Sequence, residues 1–507
     1  MKLPKTLENI TLLLFIAIAF LFYAYLPTHN STVDAYYYAS CIKYGKDLFL
    51  PHHLLYNWLG YLLYNFSVYF DRSIDALALM KLTNALFTSG CLYVFYLILK
   101  RLNYSFSEIL PTVLIAGFSF GIWRFATENE NYIIPVFFSL IGSLLFINFL
   151  KKQIILTLFF SGFMASLACL FHQIHFFWWF GLFLGVIFIT KNFKQVLLYT
   201  LPALIVPLVY LIVIEFYCKL PITYFNTTHF VFHDFYSGGV TTAIGLDNFY
   251  MTGISFIRTF FQVHGIQIIL IKKSLFFLLP ILIFIGLSAY IIFKNKNFVS
   301  RNISANQSFI HVHSAIFILQ LAFAFYSVGN AEFMVMLPFL LLLVILFYFE
   351  IKKSVLWAAA LALIIWNFSY GIYPNHKYDF TGSEKIATKV ISNRSDFFII
   401  DNMNLIDNII YYKTGIDTNK NITNAPWERI ASNKPLSKLS DTIDYLLSRN
   451  IKVFTNSVEK PKVMNRASVL VTKSDDEFFS RYLAVKIDSI SAFYGKYYLC
   501  EIQLKDK

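Results

Sequence analysis

Long apolar runs separated by short polar segments occupy the first three quarters of the chain. A helix that crosses a bilayer needs about 20 mostly apolar residues. Runs of this length predict about eleven transmembrane helices, near residues 9–27, 76–99, 107–125, 132–150, 154–171, 174–190, 196–217, 274–293, 308–328, 333–350 and 355–372. The pattern therefore predicts an α-helical polytopic membrane protein, with residues 1–373 as its membrane module.

From about residue 374 the apolar runs become short. Strands are predicted near 396–401, 451–454, 467–472 and 497–501,. Helical spacing follows at 382–393 and 439–450, with Ser383 and Ser440 as candidate N-caps,. Residues 374–507 are therefore predicted to form a small α/β domain with a core of its own.

Basic residues fall in the connections that alternate along the predicted helices. They are Lys2/Lys5, Lys100/Arg101, Lys151/Lys152, Lys191/Lys194, Lys294/Lys296/Arg301 and Lys352/Lys353. Under the positive-inside rule this side is cytoplasmic, so the N-terminus is predicted inside. An odd number of spans then puts the C-terminal domain outside the cytoplasm.

Composition narrows the class of protein further. A chain with 57% hydrophobic and only 14% charged residues lies outside the soluble range,. The net charge of +13 is spread over short clusters rather than one patch, so nucleic acid is not an expected partner,. The five cysteines show no paired spacing, which indicates isolated thiols,. The Lys-rich inner side and the outer C-terminal domain fit a bacterial inner membrane.

Titratable groups gather on the opposite, outer side, in the long connections 28–75 and 218–273 and in short turns. Nine of the eleven histidines lie there, at 29, 52, 53, 172, 175, 229, 233, 264 and 376. Topology alone asks only for Lys and Arg on the inner side. The pattern therefore indicates a site on the outer face.

The first outer connection carries Asp34, Lys43, Lys46, His52 and His53. Asp34 follows the first span by only a few residues. A carboxylate that close to hydrocarbon is costly unless it is paired or functional. The alternative is a solvated loop residue, or the cap of a helix over 35–46.

Two further outer turns contain candidate residues. Arg124, Glu128 and Glu130 precede the fourth span; carboxylates two residues apart do not share a helix face, so at most one is expected in a site, and a solvated turn is the alternative,. His172 and His175 have a spacing of three, which on a helix permits metal ligation or phosphate contact. The alternative is a polar helix edge.

The long connection contains a second histidine pair, His229 and His233, with Asp234 beside it. The spacing of four suits a metal, but the Glu of a zincin helix is missing, so a metal site is the less favoured interpretation. Farther on, residues 254–271 are apolar and end at Lys272 and Lys273. A juxtamembrane helix that brings cations to a lipid phosphate and simple interfacial snorkelling both fit this pattern.

Taken together, these residues resemble the GT-C glycosyltransferases, the superfamily of the protein O-mannosyltransferases and of the aminoarabinose transferase of lipid A. The similar features are an acidic residue directly after the first span, here Asp34 in Val-Asp-Ala-Tyr-Tyr-Tyr, and a second acidic motif at the start of a later span, here Glu128-Asn-Glu130-Asn-Tyr-Ile-Ile-Pro. An outer C-terminal α/β domain is a third. This chain has a single Asp after the first span rather than a pair.

The resemblance implies transfer of a sugar from a polyprenyl-phosphate donor to an extracytoplasmic glycan, lipid or protein. Asp34 would take the proton of the acceptor hydroxyl, which gives inversion by single displacement. Glu128 or Glu130 would orient the acceptor or the sugar. The residues expected to bind the substrates, chiefly the phosphate, are Lys43, Lys46, His52, His53, Arg124, His172, His175 and Lys272. No cofactor is required, and a divalent metal is left open.

Two other classes of protein compete with this interpretation. A transporter or flippase for a lipid-linked glycan predicts ionisable residues near the bilayer midplane, whereas the predicted spans carry few charges. An O-antigen-type polymerase or ligase is expected to have Arg-rich outer loops, whereas residues 218–273 are richer in His and aromatics. The sequence therefore favours a glycosyltransferase acting at the outer surface.

Overall fold

The structure is a computed structural model that describes residues 5–237, 243–294, 299–300, 306–461 and 474–505. The chain divides into two compact units. The helical unit comprises Met1–Thr28 and Asp47–Tyr373, and the C-terminal unit comprises His29–Lys46 and Pro374–Lys507. The first outer connection is thus divided between the two units.

Helices dominate the described chain. In chain order they are α1 Lys5–Tyr25, α2 Val33–Tyr44, α3 Tyr56–Phe70, α4 Ala76–Arg101, α5 Phe106–Gly117, α6 Phe120–Ala126, α7 Ile133–Lys152, α8 Ile155–Phe171, α9 Phe176–Thr190, α10 Phe193–Thr200, α11 Ile205–Ile212, α12 Tyr224–Val231, α13 His233–Tyr236, α14 Leu246–Phe260, α15 Ile266–Lys273, α16 Leu278–Lys294, α17 Gln307–Tyr326, α18 Leu337–Tyr348, α19 Lys353–Asn367, α20 Tyr373–Lys377, α21 Ser383–Ser392, α22 Met403–Thr414, α23 Pro426–Ala431 and α24 Leu436–Ser448. The strands are β1 Val299–Ser300, β2 Phe349–Glu350, β3 Phe397–Ile400, β4 Ile422–Asn424, β5 Val453–Thr455, β6 Tyr482–Ala492 and β7 Gly495–Leu504.

Within the described residues, nine helical segments are long and apolar enough to cross a membrane. A tenth candidate is the pair α5 and α6, which is bent by 66°. α8, Ile155–Phe171, is apolar but shorter. Each of the eleven predicted runs coincides with one of these segments, so the polytopic helical class is confirmed and the chain is a multi-pass integral membrane protein.

Small and polar residues bring the membrane helices together. Ser161 in α8 donates its hydroxyl to the Gly142 carbonyl in α7 at 2.7 Å. A second contact centres on Ser143, whose hydroxyl lies 2.8 Å from His313 Nε2 and 2.9 Å from Trp178 Nε1. Hydrogen bonds of this kind fix helix register where lipid supplies no hydrophobic drive between helices.

The C-terminal unit contains a five-stranded sheet in the order β4-β3-β5-β7-β6. β3 pairs in parallel with β4 and β5, whereas β7 pairs antiparallel with β5 and β6. α24 covers the sheet by burying Leu439 and Ile443 against Ile399 and Val453. The predicted α/β class is therefore confirmed for this region.

Two helices begin at other residues than predicted, and one predicted strand lies outside the described residues. α21 is capped by Gly382, in the left-handed conformation, so Ser383 is its first helical residue. α24 begins at Leu436, one turn before Ser440, whose hydroxyl donates to the Leu436 carbonyl. The strand predicted at 467–472 lies outside the described residues.

Helix α2 belongs to the C-terminal unit because it packs on α21 and α22. Tyr36 donates its hydroxyl to Glu384 Oε1 at 2.6 Å, and Asn408 donates to the Val33 carbonyl at 3.0 Å. The connection after the first span is therefore a folded element.

Candidate functional site

The turn between α6 and α7, residues 128–131, holds both predicted carboxylates and is buried. This segment, the acidic turn, is fixed through its backbone: the Asn84 amide in α4 donates to the Glu128 and Glu130 carbonyls, each at 2.7 Å. At the start of α3, the Tyr56 hydroxyl donates to Asn129 Oδ1 at 2.8 Å. Helices α3 and α4 thus hold the turn.

A buried lysine faces the acidic turn. Lys81 Nζ in α4 lies 3.7 Å from Glu128 Oε1 and donates to the Thr28 carbonyl at 2.7 Å. The two charged side chains are only 10% and 3% exposed. Lys81 was not among the residues predicted from the sequence, although a lone lysine near the start of an apolar span was the available signal.

Glu128 and Glu130 were expected to lie on different faces of a helix. This expectation was wrong, because the acidic turn is not helical. Glu128 and Glu130 are both buried. Burial raises the pKa of the Tyr56 hydroxyl, and the Glu130 carboxylate raises it further. Glu128 raises the Tyr56 pKa to a smaller extent and also pairs with Lys81.

Two arginines from different helices share one region of the helical unit. Burial, and then the nearby Arg124 in α6, lower the pKa of Arg258 in α14 to about 10, while Glu332 opposes the shift. Burial, and then the same two arginines, lower the pKa of His264 to about 4. Glu332 also accepts a hydrogen bond of 2.9 Å from the Tyr132 hydroxyl. The result is a cationic cluster with more guanidinium than carboxylate.

Three predicted histidines lie together beside this cluster. The rings of His52 and His53 lie 6.3 and 6.5 Å from that of His172, which in turn lies 5.1 Å from the Tyr132 ring. The backbone N–H of Gln173 donates to the His52 carbonyl at 2.9 Å. This hydrogen bond joins the first outer connection to the turn after α8.

His175 separates from this group. Its Nδ1 is 2.7 Å from Ser139 Oγ in α7, and its ring stacks on Trp178. The two members of the predicted pair therefore face different surroundings, because His172 precedes the helix and is extended. Among the described residues, no group of three or more His, Cys, Asp or Glu is placed to hold a metal ion.

The long connection contributes in two ways. His229 stacks between the rings of Phe225 and Tyr236, at 3.8 and 4.0 Å. Asp234 Oδ2 lies 3.4 Å from His52 Nδ1. Lys272 lies in the last turn of α15 and is exposed.

The remaining predicted residues belong to the C-terminal unit. Asp34 lies in the first turn of α2 and is exposed. Lys43 donates to the Tyr412 carbonyl at 3.0 Å and lies over the Tyr412 ring, while Lys46 forms an exposed ion pair of 3.4 Å with Asp417. Both lysines are therefore engaged within their own unit.

Comparison with known proteins assigns the fold. No family model and no curated protein sequence matches the chain. The fold nevertheless is of the GT-C class that the sequence motifs indicated. The chain is similar to the crystal structure of ArnT from Cupriavidus metallidurans bound to undecaprenyl phosphate, with a TM-score of 0.52, 8% identity and coverage of 98% of both chains. At this identity the likeness establishes the fold alone.

Proposed function

We propose that the chain is a membrane glycosyltransferase that moves a sugar from a polyprenyl-phosphate donor to an extracytoplasmic acceptor with inversion. The observation that carries the proposal is the arginine pair on the packed helices α6 and α14, with Arg124 four residues before Glu128, in a fold shared with a structure that binds undecaprenyl phosphate. The acceptor is a glycan, lipid or protein on the same face.

The cationic cluster suits a lipid phosphate for an electrostatic reason. Two neighbouring guanidinium groups repel each other, and Glu332, the carboxylate that opposes the shift at Arg258, already accepts a hydrogen bond from Tyr132. His264 is neutral near pH 7 and adds no charge. An anion is therefore the ligand that relieves the repulsion, and Arg binds phosphate oxygens through two parallel hydrogen bonds.

Asp34 is the proposed base. Its carboxylate is exposed at the first turn of α2, where an acceptor hydroxyl can approach. Glu128 is the weaker choice because its carboxylate is buried and pairs with Lys81. In this assignment Glu128 and Glu130 orient substrate through the acidic turn.

Binding of the lipid phosphate tests the proposal. Purified protein is titrated with undecaprenyl phosphate, and Arg124→Gln and Arg258→Gln are each expected to weaken binding about tenfold, the cost of a charged hydrogen bond. Arg72→Gln, at an exposed arginine between α3 and α4, is the matched control. Equal affinity in all four proteins would refute the phosphate site.

The proposed orientation has the N-terminus in the cytoplasm and the C-terminal unit outside a bacterial inner membrane. It rests on the basic doublets of the sequence. Alkaline phosphatase fused after residue 507 is expected to be active, and a green fluorescent protein at the same point to be dark. The opposite pair of results would reverse the topology.

A further inference from the structure

A cavity of about 220 Å³ opens in the helical unit. Its wall comes from four parts of the chain: the Pro51–His52 turn, the turn 172–174, the segment 231–235, and Phe323 with Phe333. At about 30 Å³ per water it has room for roughly seven waters. That is enough space for a small polar ligand.

The wall combines aromatic rings with hydrogen-bonding side chains. Four phenylalanines, at 232, 235, 323 and 333, supply apolar faces. His52, His172, Gln173, His233 and Asp234 supply donors and acceptors. Among these lining residues, all of which the structure describes, there is no Lys or Arg.

The charge of this wall does not suit a phosphate. Burial lowers the pKa of His52 and of His172, and neighbouring imidazoles lower them further; Asp234 opposes the shift only at His52. Both imidazoles are therefore neutral at pH 7. His172 Nδ1 accepts from the Ile174 backbone N–H, which leaves its Nε2–H as a donor for a ligand,. The fixed charge is the Asp234 carboxylate, 3.4 Å from His52 Nδ1 and 3.2 Å from His233 Nδ1.

Uncharged sugar rings match such a wall. Their hydroxyls both donate and accept, so neutral imidazoles, an amide oxygen and a carboxylate can pair with them. The Gln173 amide nitrogen is already used, because it donates to Pro51, Tyr210 and Val231. Their C–H faces pack on aromatic rings. Small-molecule sites are in general mostly apolar, with a few polar groups that fix orientation.

The position of the cavity relates it to the donor. His172 lines it and lies 5.1 Å from the Tyr132 ring, and the Tyr132 hydroxyl binds Glu332 of the cationic cluster. The next residue, Phe333, is also part of the wall. A ligand whose phosphate lies at Arg124 and Arg258 would therefore have this cavity beside it.

We propose that this cavity binds the neutral pyranose ring of the glycosyl donor, with Asp234, His52 and His172 hydrogen-bonded to its hydroxyls. That the sugar belongs to the glycosyl donor rests on the proposed function. That the cavity binds a sugar does not. It separates the roles of two groups of residues: the arginines bind phosphate, and the histidines with Asp234 select the sugar.

The first test compares two lipids on the purified protein: bare undecaprenyl phosphate, and undecaprenyl phosphate linked to glucose, mannose or galactose. Asp234→Asn and His52→Gln are expected to weaken binding of the best glycosylated lipid about tenfold and to leave the bare lipid unchanged. Arg258→Gln should weaken both. His229→Gln, on the same segment but outside the cavity, should change neither.

Equal losses for both lipids in Asp234→Asn would make the cavity a phosphate site and overturn the proposal, as would no loss for either. The second test removes the lipid. Saturation-transfer NMR with the methyl glycosides of the three hexoses should show contacts that Asp234→Asn abolishes and His229→Gln keeps.

This second test separates the two hypotheses. If undecaprenyl phosphate does not bind the wild-type protein but a methyl glycoside does, the proposed function fails and the sugar site stands. No glycoside contact in the wild-type protein, or an equal contact in both variants, would overturn the sugar site. A glycoside that the glycosylated lipid cannot displace would overturn its assignment to the donor.

Discussion

The acidic turn and helix α2 present carboxylates in opposite physical states. Glu128 is 3% exposed and lies beside the buried Lys81, in a turn held by hydrogen bonds from α3 and α4. Asp34 is exposed at the start of a helix in the other unit. The first carboxylate is costly to separate from its partner, whereas the second is accessible to a reacting hydroxyl.

This contrast separates two roles that one acidic residue cannot combine well. A buried carboxylate that pairs with a lysine is poorly accessible to an acceptor hydroxyl. It can however fix the geometry of a site. An exposed carboxylate such as Asp34 is open to an acceptor hydroxyl.

The largest expected effect is on catalysis at Asp34. Asp34→Asn keeps the size of the side chain but cannot accept a proton, so transfer should fall by about 10²- to 10⁴-fold. Transfer is measured with purified protein and a glycosylated undecaprenyl phosphate. Asp441→Asn, an exposed change in the same unit, is the control. Near-normal transfer in a folded Asp34→Asn protein would remove the assignment, and Glu128 would be tested next.

The next effect is on stability at Lys81. Lys81→Met leaves the Glu128 carboxylate buried without its cation, which typically costs about 3–5 kcal/mol. Thermal unfolding in detergent measures the loss. Adding Glu128→Gln should recover most of it, since the uncompensated charge is gone. Lys100→Met, at the exposed end of α4, should have little effect, and an equal loss there would contradict the role of burial.

A smaller effect is expected at Lys272, where the lysine is exposed. Interactions of exposed charges contribute about 0–1 kcal/mol. Lys272→Gln should therefore raise the donor KM less than fivefold, about a 1 kcal/mol change, and less than Arg258→Gln does. Steady-state kinetics at two salt concentrations measure both variants. If Lys272→Gln has the larger effect, the phosphate lies near α15 rather than at the arginine pair.

A fourth effect is on the pH dependence of stability. His172 has a lowered pKa in the folded protein, so below the unfolded value of about 6.5 the unfolded chain binds the proton first,. Stability should then be constant above pH 7 and fall as the pH drops towards 5. Thermal unfolding of His172→Gln should show a weaker fall over the same range. An identical slope would show that the effect arises elsewhere.

Much of the membrane region could be predicted because its signal is local. Each long apolar run is sufficient to specify a helix in lipid, where every backbone group must be satisfied within the segment. The strands at 397–400 and 453–455 were also found, because short apolar runs between turn residues carry their own signal,. Strand β4, Ile422–Asn424, was missed because only pairing with β3 makes its three residues a strand.

In the candidate site too, local sequence identifies the residues and the tertiary structure sets their partners. The sequence by itself determined which residues are candidates, since an ionisable group beside an apolar run is exceptional wherever the chain later folds: Asp34, Glu128, Arg124 and His172 follow from this. Only the tertiary structure decided their partners. Lys81 meets Glu128 across 47 positions, and Asp234 meets His52 across 182. Such pairs depend on helix packing, because burial and the distance between charges are set by elements that are far apart in the chain.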